Sequence, residues 1–445
     1  MQIYFNVKET SGAIKPMHAV NNGPSFPNVR GMGNFESYKA LEIPYARNHD
    51  ASYNPSYGGE HIVDVHRIFK DFDADETNPE SYLFGPTDKY LENIVNAGTK
   101  VFYRLGASIE HEHKYGTRVP KDFQKWARIC EHIIRHYTEG WANGFHYDIE
   151  YWEIWNEPDC HNPDGSNPCW QGTDDEFIEL YTVAAKHLKS CFPHLKIGGP
   201  AFTSPWRSDF KRAFLKNIKE NNVPFDFYSY HMYAKEPFAV MNTETEAKTA
   251  LAEYGLENTP TILNEWNYIK GWVGDPYVYS MKAINGLKGS SFTVGCMCAG
   301  QASTLSMLMY YDARPSLFCG LYDRYFEQQK AYYALKGFSA LYKLGTEIKT
   351  ENYLNGDIYT CAATNGEKNA FLLTRYMDED AAEVEEVEVK LTGLSGKTKV
   401  KYSLLDANTN LEVIREEVFT AEEVVLHLNM KLFDTYLIET ELTNE

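Results

Sequence analysis

Two glutamates stand in settings that could do chemistry. The first closes the segment Tyr151-Trp152-Glu153-Ile154-Trp155-Asn156-Glu157-Pro158, where a β-rich run ends in Asn, Glu and Pro. A proline there stops the strand and turns the chain, which holds Glu157 at a strand end. The second closes Thr261-Ile262-Leu263-Asn264-Glu265-Trp266-Asn267, again a short apolar strand ending in Glu. Two carboxyl groups facing one pocket suit the cleavage of a glycosidic bond, since one can protonate the leaving oxygen while the other attacks the anomeric carbon. An isolated Glu after a strand is most often a surface carboxylate; the pairing and the Asn-Glu-Pro context argue for a pocket.

A third segment, His111-Glu112-His113, carries ligand-type side chains. Adjacent residues of an extended strand point to opposite faces, and the spacing is not His-Glu-x-x-His, so it reads as loop chemistry at the rim of the third strand. No phosphate-cradling glycine loop or nicotinamide fingerprint is found, and neither a metal nor an organic cofactor is expected.

For the two glutamates to meet, their strands must end at one face of one sheet. A parallel barrel does this, because the C-terminal strand ends and the loops after them form its active site. From about residue 15 to 344, short β-rich runs alternate with helical patterns, the sequence form of repeated βα units. Eight strands are predicted, at 17–21, 44–49, 100–104, 151–155, 196–199, 225–230, 261–263 and 304–310. Between them lie amphipathic helices such as 122–137, where Phe123, Trp126, Ile129, Cys130, Ile133, Ile134 and Tyr137 recur at helical spacing. Capping-box patterns at Thr173 to Glu176 and Thr243 to Glu246 predict helix starts.

After residue 344 the texture changes to strand-like segments at 358–363, 370–375, 384–390, 399–406, 412–418, 424–429 and 433–438, separated by turn-forming clusters such as Ala407-Asn408-Thr409-Asn410. That pattern predicts a small antiparallel β-sandwich. The opening strand 2–7 has no βα partner and could complete one of its sheets. The expected organisation is an α/β protein: a (β/α)8 TIM barrel over 15–344, a C-terminal antiparallel β-sandwich over 345–445, and an N-terminal strand in 1–14 that joins the sandwich. The acidic run Glu383, Glu385, Glu386 and Glu388 reads as a solvated strand face or edge.

These residues reach a resemblance. Trp155-Asn156-Glu157-Pro158 at the fourth strand and Glu265 at the seventh resemble clan A glycoside hydrolases. Within the clan, four further segments are similar to family 39, home of β-xylosidases and α-L-iduronidases. They are Pro16-Met17-His18-Ala19-Val20-Asn21-Asn22-Gly23-Pro24, Arg47-Asn48-His49, Gly198-Gly199-Pro200-Ala201 and His231-Met232-Tyr233. The resemblance implies Glu157 as acid/base and Glu265 as nucleophile of a retaining, double-displacement hydrolase that removes a terminal sugar. It implies Asn156 as the asparagine that binds the sugar 2-hydroxyl, Tyr233 as the tyrosine that orients the nucleophile, and Arg47, His49 and His231 as pocket residues. A hydroxyl beside Glu265 would favour its ionised form, while an apolar surround would keep Glu157 protonated.

The chain departs from the family's β-xylosidases at the eighth strand. They typically carry a tryptophan followed by two glutamates there; this chain reads Met309-Tyr310-Tyr311-Asp312-Ala313-Arg314-Pro315-Ser316. Asp312 and Arg314 make a compensated pair, in which the guanidinium either holds sugar hydroxyls or a carboxylate, or simply braces the loop. A β-xylosidase-like activity is the first reading. Another family 39 activity on an iduronide, arabinoside or hexoside, a carbohydrate-binding barrel without catalysis, and a metal-dependent hydrolase are the alternatives.

Composition bounds the partners. The chain has 445 residues, 43 Lys plus Arg against 62 Asp plus Glu, and a net charge of -19, which repels phosphate backbones and anionic lipid. An oligosaccharide or glycoside is therefore expected as substrate, with no nucleic-acid or membrane partner; a homo-oligomer is compatible with the chain. The 32 tyrosines offer flat apolar faces with polar tips that suit sugar rings, although most of them pack or lie at the surface. Neither a signal-peptide pattern nor an apolar run of membrane-spanning length is seen, so a cytoplasmic protein is expected. On that reading Cys160 and Cys169, which bracket a loop and could bridge in an oxidising compartment, are expected as free thiols.

Overall fold

The computed structural model describes residues 1–28, 30–54, 58–109 and 116–443. Eight parallel strands close into a barrel in sequential order: Ala19–Asn21, Tyr45–Arg47, Lys100–Leu105, Tyr151–Ile154, Lys196–Phe202, Tyr228–Ala234, Thr261–Tyr268 and Met307–Tyr310. The eight predicted strands are all present, with shifted ends. The fifth, sixth and seventh run on by three to five residues beyond the predicted stops, so that Ala201, His231, Tyr233 and Glu265 lie within them.

The helices follow the sequence signals with one exception. Phe123–Glu139 is capped by the Asp122 side chain and ends at Gly140, whose φ of 76° makes the left-handed turn that glycine adopts without strain. Asp174–Cys191 starts at the reciprocal capping box of Thr173 and Glu176. The pattern at Thr243 is not a start: that helix spans Ala239–Glu253 and Thr243 lies within it. Glu246, the residue that would reach back, pairs with Arg207, and its neighbour Glu244 turns inward, accepting hydrogen bonds from Tyr230, Thr261 and Thr304.

The sandwich has two sheets. Gln2–Asn6, Glu385–Thr392 and Glu423–Met430 form the smaller one, in which the first strand pairs parallel with the second. The larger carries the remaining C-terminal strands together with Thr10–Ala13 and the short strands Thr346–Ile348 and Leu354–Asn355, three elements too short to show in the pattern. Apolar residues of both sheets, including Phe5, Phe371, Val389 and Leu426, fill the space between them. The acidic run lies on the central strand of the smaller sheet, where Glu386 and Glu388 face solvent while Val387 and Val389 face inward. It is a solvated face, not an edge.

Two helices join the halves. Leu287–Ala302 is buried on all sides from Lys288 to Gln301, as a helix between two packed layers must be, and its Ser291 donates to the Arg375 carbonyl of the larger sheet at 2.8 Å. Lys330–Leu344 lies beside it, with Gly337 facing Leu372 so closely that a Cβ there would meet the Leu372 side chain at 3.1 Å. Leu372, Cys361 and Leu437 of the sheet belong to the same continuous core as the barrel. Among the described residues no helix is long and apolar enough to cross a membrane.

All eight tryptophans fall between Trp126 and Trp272, so their fluorescence reports on the barrel alone. Leu372→Ala, a cavity on the sandwich side of the junction, is expected to cost about 2–5 kcal/mol and to lower the urea midpoint read from tryptophan emission. An unmoved tryptophan midpoint would mean that the barrel stands without the sandwich.

Candidate active site

The barrel is plugged at the N-terminal ends of its strands by Ala19, Phe102, Phe227, Ile262, Met307 and Met309. Above this apolar floor lies a buried polar layer built on Arg47 and Glu153. Arg47 Nε donates to Glu153 Oε2 at 2.7 Å, and both side chains are fully shielded from solvent. Glu153 Oε1 accepts from Ser229 Oγ and Asn264 Nδ2, each at 2.6 Å. The other guanidinium nitrogens donate to Asn21 Oδ1 at 3.1 Å, Asn156 Oδ1 at 2.6 Å and Glu265 Oε2 at 3.3 Å. One guanidinium thus ties the first, second, fourth and seventh strands together and fixes Asn156 and Glu265.

Glu157 and Glu265 stand above this layer, with a carboxylate oxygen of each, and a nitrogen of His231, mutually within 4.8 Å. Their backbones are shaped for it. Trp155 and Glu157 take φ of 78° and 47°, in the left-handed region, and the Glu157 amide is held by the Ala201 carbonyl at 2.9 Å. Such residues cost about 1–3 kcal/mol each and cluster at functional sites. On the seventh strand Leu263 pairs with Tyr230 but Glu265 with His231, so Asn264 is an extra residue. This bulge lets Asn264 and Glu265, neighbours in sequence, both face the barrel interior.

The two carboxyls have different company. Glu265 accepts from Tyr233 OH at 2.8 Å and from Arg47, with His49 Nε2 at 3.6 Å. Glu157 has His231 Nδ1 at 2.7 Å and, more weakly, the Cys169 thiol at 3.9 Å. Burial pushes Glu157 up to about 8, with the charge of Asp159 adding to it. Burial also raises Glu265, to about 7, against the pull of the Arg47 guanidinium. His231 and His49 are lowered by their own burial and are neutral near pH 7. Tyr233 in turn packs edge-on against the half-exposed Trp272, ring centroids 4.9 Å apart, at the mouth.

Seven of the nine residues singled out in the sequence thus converge directly: Asn156, Glu157, Glu265, Tyr233, His231, Arg47 and His49. The other two lie one layer out. Asp312 is buried and accepts from the Arg314 amide at 2.9 Å and from its Nε and Nη2 at 2.9 and 2.6 Å. Arg314 also donates to the Asp50 carbonyl and to Tyr311 OH, which itself donates to Asp50 Oδ2 at 2.9 Å. Arg314 therefore braces the loop after the eighth strand.

Sequence reasoning missed Glu153, Asn21, Asn264, Asp50 and Tyr311. A signal existed for Glu153 alone: a carboxylate between Trp152 and Ile154 on a strand points into the barrel and needs a buried cation. Cys160 and Cys169 are free thiols. His111, Glu112 and His113 lie outside the described residues.

Residues 49–267 match the model of glycosyl hydrolases family 39. This segment is similar to that family. Family 39 relatives include a β-xylosidase of Caldicellulosiruptor saccharolyticus, 26% identical over 211 residues, and one of Geobacillus stearothermophilus, 28% identical over 184. These matches cover 42% and 38% of this chain, and 41% and 34% of the relatives, so the chain spans well under half of the curated relatives' length. In fold it is similar throughout to the crystal structure of a glucosidase from Croceicoccus marinus, with a TM-score of 0.80 at 18% identity over 100% of this chain and 99% of the other. The family match takes in Glu157, Tyr233 and Glu265; the eighth strand lies beyond it.

Removing one partner of a buried ion pair strands the other charge, a loss of about 3–5 kcal/mol. Glu153→Leu is accordingly expected to lower the free energy of unfolding by that amount, measured by urea denaturation. A change under about 1 kcal/mol would mean that Glu265 and Asn156 suffice to hold Arg47.

Proposed function

We propose that the protein is a retaining glycoside hydrolase that removes a terminal sugar by double displacement, with Glu157 as acid/base and Glu265 as nucleophile. The observation that carries this reading is the short gap between the two carboxyls, whose oxygens approach within 4.8 Å. A retaining pair sits about 5–5.5 Å apart because no water need fit between nucleophile and sugar, whereas an inverting pair is separated by about 6.5–9.5 Å.

The division of labour follows from the surroundings. Glu265 is met by a hydroxyl and a guanidinium, both donors, which favour its ionised form for attack on the anomeric carbon. Glu157 lies higher in pKa, retains its proton near neutrality and gives it to the departing oxygen. In the second step the same carboxylate, now ionised, takes a proton from the water that releases the sugar. Asn156, oriented by Arg47 through its carbonyl oxygen, keeps its amide nitrogen for a sugar hydroxyl.

The relatives at the β-xylosidase level favour a xyloside as substrate. With Arg314 engaged by Asp312, Asp50 and Tyr311, the eighth-strand departure adds no free cation for a uronate, which also favours a neutral sugar. A panel of aryl xyloside, arabinoside, galactoside and uronide substrates tests this, and fastest turnover of the uronide would refute it.

Glu265→Ala should abolish turnover of every substrate, while Glu157→Ala should spare those with activated leaving groups, which need little proton assistance. Azide should rescue each variant to glycosyl azides of opposite anomeric configuration; one configuration from both would mean the roles are misassigned.

The dependence of kcat/KM on pH should be a narrow bell. Activity falls on the acid side as Glu265 gains a proton and on the alkaline side as Glu157 loses one, around apparent values of about 7 and 8 that belong to the coupled pair. Tyr233→Phe withdraws a donor from ionised Glu265 and should move the acid limb upward while leaving the alkaline limb in place. An unmoved acid limb would deny Tyr233 this role.

A further inference from the structure

Two thiols converge on the proposed acid. One ligand atom from each of Glu157, Cys160 and Cys169 lies within 4.8 Å of the other two, with Cys169 Sγ 3.9 Å from Glu157 Oε2. The backbone builds this arrangement. The Cys160 amide donates to the Glu157 carbonyl at 3.1 Å, and Asn167 ties the far side of the loop by accepting from the Cys169 amide at 2.8 Å and donating to the Pro158 carbonyl at 2.7 Å. Cys169 is buried and Cys160 half-buried, and a cleft of about 670 Å³ reaches Cys160 past His161, Asn162 and Gln171. Neither step of the proposed hydrolysis needs a sulfur there.

We propose that Cys160, Cys169 and Glu157 form a binding site for a thiophilic divalent cation of the zinc type, and that filling it turns the enzyme off. The effect on catalysis rests on the assignment of Glu157 above; the binding does not. Two thiolates and a carboxylate make up three positions of a tetrahedral site, leaving the fourth to water. Zinc holds sulfur at about 2.3 Å and oxygen at about 2.0–2.2 Å, so its ligand atoms sit about 3.5–4 Å apart. The three groups already lie near that spacing, within 4.8 Å of one another. Calcium and magnesium prefer all-oxygen shells and gain little here. Cysteine binds a metal as its thiolate, so binding strengthens as pH rises. With its oxygen on the cation, Glu157 can neither give nor accept the proton that each step requires.

The test uses the full chain, reduced and under inert gas, with cobalt(II) as the probe. A thiolate-to-cobalt charge-transfer band should saturate at one ion per chain, disappear in Cys160→Ser and in Cys169→Ser, and persist in Cys191→Ser, which removes the thiol of the Glu131, His187 and Cys191 cluster on the outer helices. Zinc should displace the cobalt and lower turnover of an alkyl glycoside, whose leaving group needs the proton of Glu157, about a hundredfold or more, the scale of lost acid/base assistance. A chelator should restore that turnover, and Cys160→Ser, changed at a half-buried position, should not respond to zinc. The proposal is overturned if no band forms, if it survives both serine variants, or if Cys191→Ser alone removes it. Because the band is read without substrate, its failure is separate from any failure of the hydrolase reading.

Discussion

The site depends on a guanidinium buried where no water can solvate it. Arg47 is fully enclosed by the barrel, and a charge in that position is tolerable only if every side of it meets an acceptor. Glu153 neutralises it, and Asn21, Asn156 and Glu265 take up the remaining directions. The acceptors come from the first, fourth and seventh strands, so the cation acts as a jig. Its own geometry, a flat fork with fixed angles, decides where the carbonyl of Asn156 and one oxygen of Glu265 stand. A lysine would supply the charge but not the directions.

That jig demands backbone irregularities. Regular strands point alternate residues to opposite faces, which would send Asn264 and Glu265 to different sides of the wall. The extra residue in the seventh strand turns both inward, one to complete Glu153 and the other to face the pocket. At the end of the fourth strand the same demand is met by left-handed φ at Trp155 and Glu157. The cost is offset by anchoring: the Trp155 ring donates to the Cys169 carbonyl at 2.9 Å and packs against Trp170 with centroids 5.1 Å apart. Strain in the loop is thus held in place by a buried aromatic pair beneath it.

The sequence showed most of the scaffold because its signals are local. Each barrel strand is a β-rich run bounded by turn residues, and each sandwich strand likewise, so their existence could be read while their ends could not. Ends depend on neighbours: the sixth strand reaches Ala234 because the seventh runs alongside to Tyr268. Thr243 shows the opposite failure. Hydroxyl-x-x-Glu satisfies the capping rule on paper, but Glu244 beside it is drawn into a buried cluster with Tyr230, Thr261 and Thr304, three residues remote in sequence, and the helix begins a turn earlier. Glu157 and Glu265 were legible from their motifs, whereas Asn21 and Asn264 were not, since nothing local distinguishes an asparagine that completes a distant ion pair. Arg314 was legible as a residue but not in direction; in the fold its guanidinium meets Asp312, the Asp50 carbonyl and Tyr311.

Two carboxyls this close cannot both be ionised without cost, and burial alone would protonate both. What separates them is the count and kind of donors. Glu265 receives a tyrosine hydroxyl and shares the Arg47 cation, while Glu157 has a neutral histidine and a thiol, much weaker stabilisers of negative charge. One proton for the pair therefore rests on Glu157. On the proposed roles, forming a glycosyl ester would consume the charge of Glu265, the repulsion that keeps Glu157 protonated would disappear, and its pKa would fall. Under that proposal the acid of the first step would thereby become available as the base of the second, with the change of role driven by the reaction itself.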